Sequence, residues 1–255
     1  MTYLYRSFLI FTLAISLVSL ASAQSQPAAA GQLLILANQS RAQAGLPPLV
    51  WDGALATAAM KHCERMSVEG PLAHQYPGEL DLSERASLSG AHFSLIAENI
   101  ALGQYATQIH NDWMHSPGHR ENLLNAQVDH IGIAVIVRHG NLYAVEDFAR
   151  DIRAYTPDQA EAQVGSLIRA AGLRVRPDPA DARRACLSDH GLPNHLSGGE
   201  PTYDIRWQSA DLDHLPPSLQ AQLRSGQYQQ AAVGSCAARD VQTGFTQYRL
   251  AVLLY

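Results

Sequence analysis

The sequence predicts an α+β fold: helices first, then a β-hairpin, then a smaller α+β module at the C-terminal end. Three observations carry this. Apolar and small residues recur at helical spacing from Gln32 to Ala44 and again from Leu55 to Met66. The run "HIGIAVIVRHGNLYAVEDFAR" holds two β-rich stretches, Ile131 to Val137 and Leu142 to Phe148, joined across "HGN", which is a hairpin signal. Beyond Tyr155, helical and strand-like runs alternate over about 100 residues, the size of a small module.

The chain opens with a targeting signal. Met1 to Ala23 carries Arg6, an apolar run from Phe8 to Leu20 and the small-x-small triplet Ala21-Ser22-Ala23, the pattern of a secretory signal peptide cut after Ala23. The apolar run is shorter than the roughly 18 to 20 residues of a spanning helix, and no later segment reaches that length, so no stable membrane insertion is expected. No cysteine follows the cleavage site, which argues against a lipid anchor. The expectation is a secreted or periplasmic protein. The net charge of −5 is mild and no Lys/Arg block stands out, so nucleic acid is not an expected partner.

Gln24 to Gly31 reads as a mobile leader. The first helix then runs on a stripe of Leu33, Leu36, Ala37, Ser40 and Ala44 and stops at Gly45 and Pro47-Pro48. Asp52 caps a second helix, and a short third is expected near Leu82 to Leu88. "HFSLIAENIALG" reads as extended, "YATQIHNDWMH" as helical, and Ser116-Pro117 as the start of a further helix, with serine as N-cap and proline at the first position. Tyr155 to Pro157 mark a boundary. After it come the helix "DQAEAQVGSLIRAAGL", a Pro/Asp/Arg-rich piece, the strand "TYDIRWQ", a helix in "LPPSLQAQL" and two strand-like runs near the end. No internal repeat and no low-complexity segment is visible.

Of the three cysteines, Cys186 and Cys236 could close a disulfide across about 50 residues in an oxidising compartment. Cys63, in the helical "AAMKHCERM", then reads as a small buried apolar residue rather than a reactive thiol.

The candidate chemistry lies in three polar residues set among apolar neighbours. Glu98 in "LIAENIAL" is costly to bury alone and should meet a cation, a metal or backbone donors. His74 in "PLAHQY" and His119 near the third position of the helix begun at Ser116 could join it in a His/Glu/His cluster, suited to a divalent metal or to proton exchange. His115 ends the preceding helix, so His115 and His119 are not an i, i+4 pair, and a metalloprotease-like HExxH site is disfavoured. Trp113 reads as a core anchor, and Asn99 and Asn122 as backbone partners. His62, His92, His110, His130 and His139 stand isolated, with surface positions as their default. Asp147 sits beside a buried-looking strand and is not assigned a role.

"LLILANQSRAQAGLPPLVWDGALATAAMKHCERM", "LAHQYP", "IAENIALG", "WMHSPGHRENLLN" and the hairpin follow in the order and spacing of the CAP superfamily (cysteine-rich secretory, antigen 5 and pathogenesis-related proteins), in its bacterial SCP-domain form. The resemblance covers about Gln32 to Arg150, which sets a domain at 32–154 and leaves 155–255 as a C-terminal α+β module of unknown function. It implies an α-β-α sandwich and a cleft of two histidines and two glutamates that in some members holds zinc or another divalent ion. His74, Glu98 and His119 match three of the four positions. The second glutamate has no match; its place falls on His115, a weak fourth member, and the sequence reads "AEN" with Ala97 where the family pattern has glycine.

The reading that follows is a non-enzymatic binding module. Its His/Glu cleft would hold a divalent ion such as zinc through His74 and His119 and recognise a lipid, glycan or protein ligand. The alternative is a metal-dependent or His/Glu-based hydrolase, a peptidase or esterase. It is weakened because no Ser or Cys nucleophile stands beside a motif histidine and one carboxylate is missing.

Overall fold

The computed structural model describes residues 26–188, 191–193 and 195–255. The expected signal peptide lies outside the described residues. Helix α1 (Gln26–Gln43) starts at Gln26 rather than Gln32 and takes in most of the stretch expected to be a mobile leader. Burial explains the difference. Ala29, Leu33, Ala37 and Arg41 form a stripe at four-residue spacing, all essentially inaccessible, so the alanine-rich start of the helix is packed rather than free. Arg41, and not Ala44, completes that stripe. Its guanidinium donates to the carbonyls of Pro47, Leu123, Asn125 and Val128, which is how so large a cation can be buried.

Strand β1 (Val50–Trp51) leads into α2 (Gly53–Glu69), where the Asp52 carboxylate accepts from the amides of Ala54 and Leu55. Helix α3 (Leu82–Leu88) starts in a reciprocal capping box between Asp81 and Glu84. Then come β2 (Phe93–Gly103), α4 (Ala106–His115), α5 (Pro117–Leu123), β3 (His130–Arg138) and β4 (Asn141–Asp151). The sheet order is β1-β3-β4-β2, with β1 parallel to β3 and the other pairs antiparallel.

Alternation along the strands divides the core into two layers. Ile131, Ile133, Val135, Ala144 and Phe148 face Leu33, Ala37, Ile109, Trp113 and Leu123 from α1, α4 and α5. Ala134, Val145 and Ala149 face Leu55, Ala59, Cys63, Met66 and Ala86 from α2 and α3. The result is a sheet between two helical layers. Gly132 sits where the backbone of α2 crosses β3; a Cβ there would lie 2.0 Å from the Ala56 nitrogen.

The C-terminal half contains α6 (Pro157–Ala170), β5 (Arg174–Val175), α7 (Ala180–Leu187), β6 (Tyr203–Ser209), α8 (Pro217–Arg224), β7 (Gln230–Cys236) and β8 (Tyr248–Leu254). Helix α7 rises from the Pro/Asp/Arg-rich piece for which no element was expected. Its sheet order is β5-β7-β8-β6, again with one parallel edge pair, β5 and β7. Cys186 at the end of α7 and Cys236 at the end of β7 form a disulfide, while Cys63 is buried and free. Among the described residues no helix is long and apolar enough to cross a membrane. The two halves thus share a topology, although no repeat is visible in the sequence.

Candidate functional site

Glu98 lies in β2 directly opposite Asp147 of β4, and its side chain is 3 % exposed. Two groups satisfy it. Arg85, from α3, donates to Oε2 at 2.6 Å, and the Nδ1 of His74, from the segment between α2 and α3, lies 2.8 Å from Oε1. Glu98 therefore meets the cation that its apolar setting demands, and the cation is an arginine. The bond to Glu98 holds the His74 pKa above the ordinary histidine value, partly opposed by burial. The His74 ring otherwise stands open, with a side chain 60 % exposed.

A second buried histidine supports the first. His62 of α2, expected by default at the surface, is fully buried: Nδ1 lies 2.8 Å from Oε1 of Glu79, and Nε2 lies 3.0 Å from the Ala73 carbonyl and 4.0 Å from Oε1 of Glu98. Its position on the inward stripe of α2, beside Cys63, is what draws it in. Holding Ala73 fixes the backbone next to His74. Arg85 extends the network to the Leu80 carbonyl and lies 3.9 Å from Glu79. His110 is buried as well, against Ser40, and burial lowers its pKa.

Asp147 and Glu146 lie in β4 opposite Glu98 and Asn99, on the two faces of the sheet. Both are wholly inaccessible. Burial pushes the Asp147 carboxyl well above its ordinary range, and the neighbouring Glu98 carboxylate pushes the same way. Burial alone raises Glu146, which pairs in register with Asn99 on the opposite face of the sheet.

His119 stands in the first turn of α5, where Ser116 and Pro117 place it. Asn99 donates to the His119 carbonyl at 3.1 Å, and Asn122 donates to the Glu98 carbonyl at 3.1 Å and to Asn99 Oδ1 at 2.9 Å. These bonds lock α5 against β2, so the two asparagines bond backbone as expected and set the distance between His119 and the Glu98 strand. Burial depresses the His119 pKa, and the charge on His74 depresses it further. The two imidazoles are therefore close enough to feel each other.

His115 is not brought to this cluster. It is exposed at the end of α4, and its Nδ1 faces the Asn111 carbonyl one turn back in its own helix. The structure thus gathers His74, Glu98 and His119, adds Arg85, His62, Glu79 and Asp147, and leaves His115 outside. Among the described residues no group of three or more His, Cys, Asp or Glu side chains converges to hold a metal. The residues that would hold a divalent ion are the imidazoles of His74 and His119, with Glu98 on Nδ1 of His74.

Residues 34–148 match the family model of the cysteine-rich secretory protein family, CAP. The chain is 32% identical over 102 residues to the uncharacterised protein YkwD of Bacillus subtilis and 33% identical over 108 residues to the uncharacterised membrane protein YlbC of the same organism. Those alignments take in 40% and 41% of this chain but only 40% and 30% of the relatives' own lengths. A crystal structure of an extracellular SCP-domain protein from Bacillus anthracis is similar at 30% identity with a TM-score of 0.46, covering 49% of this chain and 41% of that one. Over residues 34–148, somewhat under half of its length, the chain is thus similar to the cysteine-rich secretory protein family, CAP.

Proposed function

We propose that the protein is an extracytoplasmic binding module whose cleft, walled by His74 and His119, takes a divalent cation such as zinc and presents it to a lipid, glycan or protein ligand. The observation that carries this reading is the state of Glu98. Both of its oxygens are engaged, one by Arg85 at 2.6 Å and one by His74 at 2.8 Å. A general base must reach the water it activates, and this carboxylate is 3 % exposed, with an arginine on one oxygen and a histidine on the other. The cation reading needs only what the two rings supply. Glu98 holds Nδ1 of His74, which leaves the other ring nitrogen for a ligand, and the depressed pKa of His119 keeps that imidazole neutral and able to donate its lone pair. With only two protein donors, binding should be weak and exchangeable compared with a closed structural zinc site. The disulfide supports a location outside the reducing cytoplasm.

Calorimetric titration of the mature protein with Zn²⁺ tests the reading. One weak site is expected, lost in His74→Ala and in His119→Ala; equal heats from all three proteins would discard it. Peptidase and esterase substrates run on the same samples separate the hydrolase alternative, since turnover that disappears in Glu98→Gln would make Glu98 a base after all.

A further inference from the structure

We propose that the C-terminal half is a second copy of the N-terminal fold whose cleft has been erased, and that its β7–β8 loop holds α3, and with it Arg85, against Glu98. The correspondence goes beyond strand order. In the first sheet Ile131 pairs with Trp51 and with Phe148, and Phe148 pairs with Ala97; in the second, Ala231 pairs with Val175 and with Leu254, and Leu254 pairs with Tyr203. The same offsets hold along all three pairings. The first helix of each half ends in Ala-Gly-Leu, where a glycine with positive φ lets the leucine amide bond back to Arg41 in one case and to Ile168 in the other. Each third strand also lets its crossing helix approach over a glycine, two residues apart in the shared register: Gly132 meets the Leu55–Ala56 backbone, and Gly234 meets the Ala182–Arg183 backbone.

The cysteines fix the remaining helix. Cys63 Sγ lies 3.1 Å from the Tyr143 carbonyl, and Cys186 Sγ lies 3.5 Å from the Arg249 carbonyl. Tyr143 pairs with Ile136, and Arg249 pairs with Cys236. Free Cys63 is therefore the counterpart of disulfide-bonded Cys186, and Ile136 stands where the second half has its other cysteine.

With the halves aligned, the site residues can be followed across. His62 corresponds to Ala185, Glu98 to Asp204, Asn99 to Ile205, Glu146 to Val252 and Asp147 to Leu253. No described element of the second half stands in place of α3 or α5, which deliver Arg85 and His119. The second copy kept the sheet and lost the cleft.

It also gained something. The β3–β4 turn consists of His139 and Gly140, whereas β7 and β8 are joined by residues 237–247. That longer loop docks on the first copy. Ser83 of α3 donates to the Thr243 carbonyl at 2.7 Å, the Thr246 amide donates to the Phe93 carbonyl of β2 at 2.9 Å, and Phe245 meets the edge of Phe93 with centroids 5.1 Å apart. Gly244 lies so close to α3 that a Cβ would come within 2.4 Å of the Ser83 carbonyl oxygen. The loop thus clamps together α3 and β2, the two elements whose Arg85 and Glu98 form the buried pair. This assigns Arg85 as a positioning residue and the loop as the brace behind it.

Both parts can be tested on the full chain without any ligand. Ile136→Cys, oxidised in the presence of the native disulfide, should form a second disulfide with Cys63 and leave no thiol open to alkylation in denaturant; two alkylated thiols would overturn the duplication. Gly244→Val should raise hydrogen exchange at the Arg85 guanidinium at least about 10-fold and shift its ¹⁵N signals, while α1 and α4 amides stay at wild-type rates. Phe245→Ala, which leaves the loop backbone intact, should move the same signals less, and Gly140→Val in the short turn of the first copy should not move them. Unchanged Arg85 signals in both loop variants, or exchange that rises equally throughout the chain, would overturn the brace.

Discussion

The first half of the chain and the second are built on one strand order, yet they spend their interiors differently. The first buries Arg85 against Glu98, a histidine against Glu79, and two carboxyl groups, Glu146 and Asp147, that burial drives toward the neutral form. At the last two positions the second half has Val252 and Leu253, both fully buried, and it adds a covalent link between helix and sheet. Apolar residues at such sites cost nothing to desolvate, whereas a buried ion pair seldom repays its desolvation. The first half therefore carries an expense that its own fold does not require. That expense falls on the residues around His74 and His119, which is the pattern expected of a site rather than of a scaffold.

The largest expected effect breaks this comparison at its centre. Glu98→Ala leaves Arg85 buried without its carboxylate and should cost about 3–5 kcal/mol in denaturant unfolding. The counterpart change, Asp204→Ala, removes a partner of Arg206 from a pair that is 29 % and 18 % exposed and should cost about 1 kcal/mol or less. Equal costs would mean that the two pairs are energetically alike and that the first is no special centre.

Next in size is the covalent link. Cys236→Ser opens a loop spanning 50 residues and should lower stability by about 2–4 kcal/mol. Its unlinked counterpart, Cys63→Ala, should cost only about 1 kcal/mol, the loss of one buried sulfur. The Cys63 thiol, pushed up to about 12 by burial, should also resist alkylation in the native protein.

The smallest effect sharpens the comparison through pH. Burial raises the folded pKa of Glu146 above its unfolded value, so the contribution of this group is fully present below about pH 4.5 and is lost as pH rises toward the folded pKa. Glu146→Gln removes that loss. Its melting temperature should match the wild type in acid and exceed it at neutral pH, the difference growing as pH rises above about 4.5. A gain that shrinks as pH rises would reverse the sign and contradict the assignment.

Much of this was legible from residue patterns. The alternation in β2 and in the hairpin, the Asp52 cap and the Ser116-Pro117 start placed Glu98 and His119 on the right elements, and the apolar setting of Glu98 announced that a cation was needed. What the pattern could not supply was the identity of that cation. Arg85 lies in "LSERASL", an ordinary polar helix whose inward face is decided only by the docking of α3. His62 was hidden for a similar reason, since a histidine on a helical stripe reads as surface until its neighbours are known. The helical start at Gln26 is silent in the sequence because alanines carry little periodic signal, though Ala29 packs fully. The repeated topology was invisible because it is held by register, a glycine turn and a cysteine position, while the cleft residues that would have advertised it were replaced.

In the proposed function the first half alone holds a cleft, with His74 and His119 as its ligand groups. The most direct measurement follows the histidine ring ¹⁵N signals of the full chain as Zn²⁺ is added. Shifts are expected first at the side chains of His74 and His119, with His115 and the exposed His214 of the second half unmoved. Shifts that begin at His115 or His214, or that leave His119 unchanged while His74 moves, would contradict the proposed function.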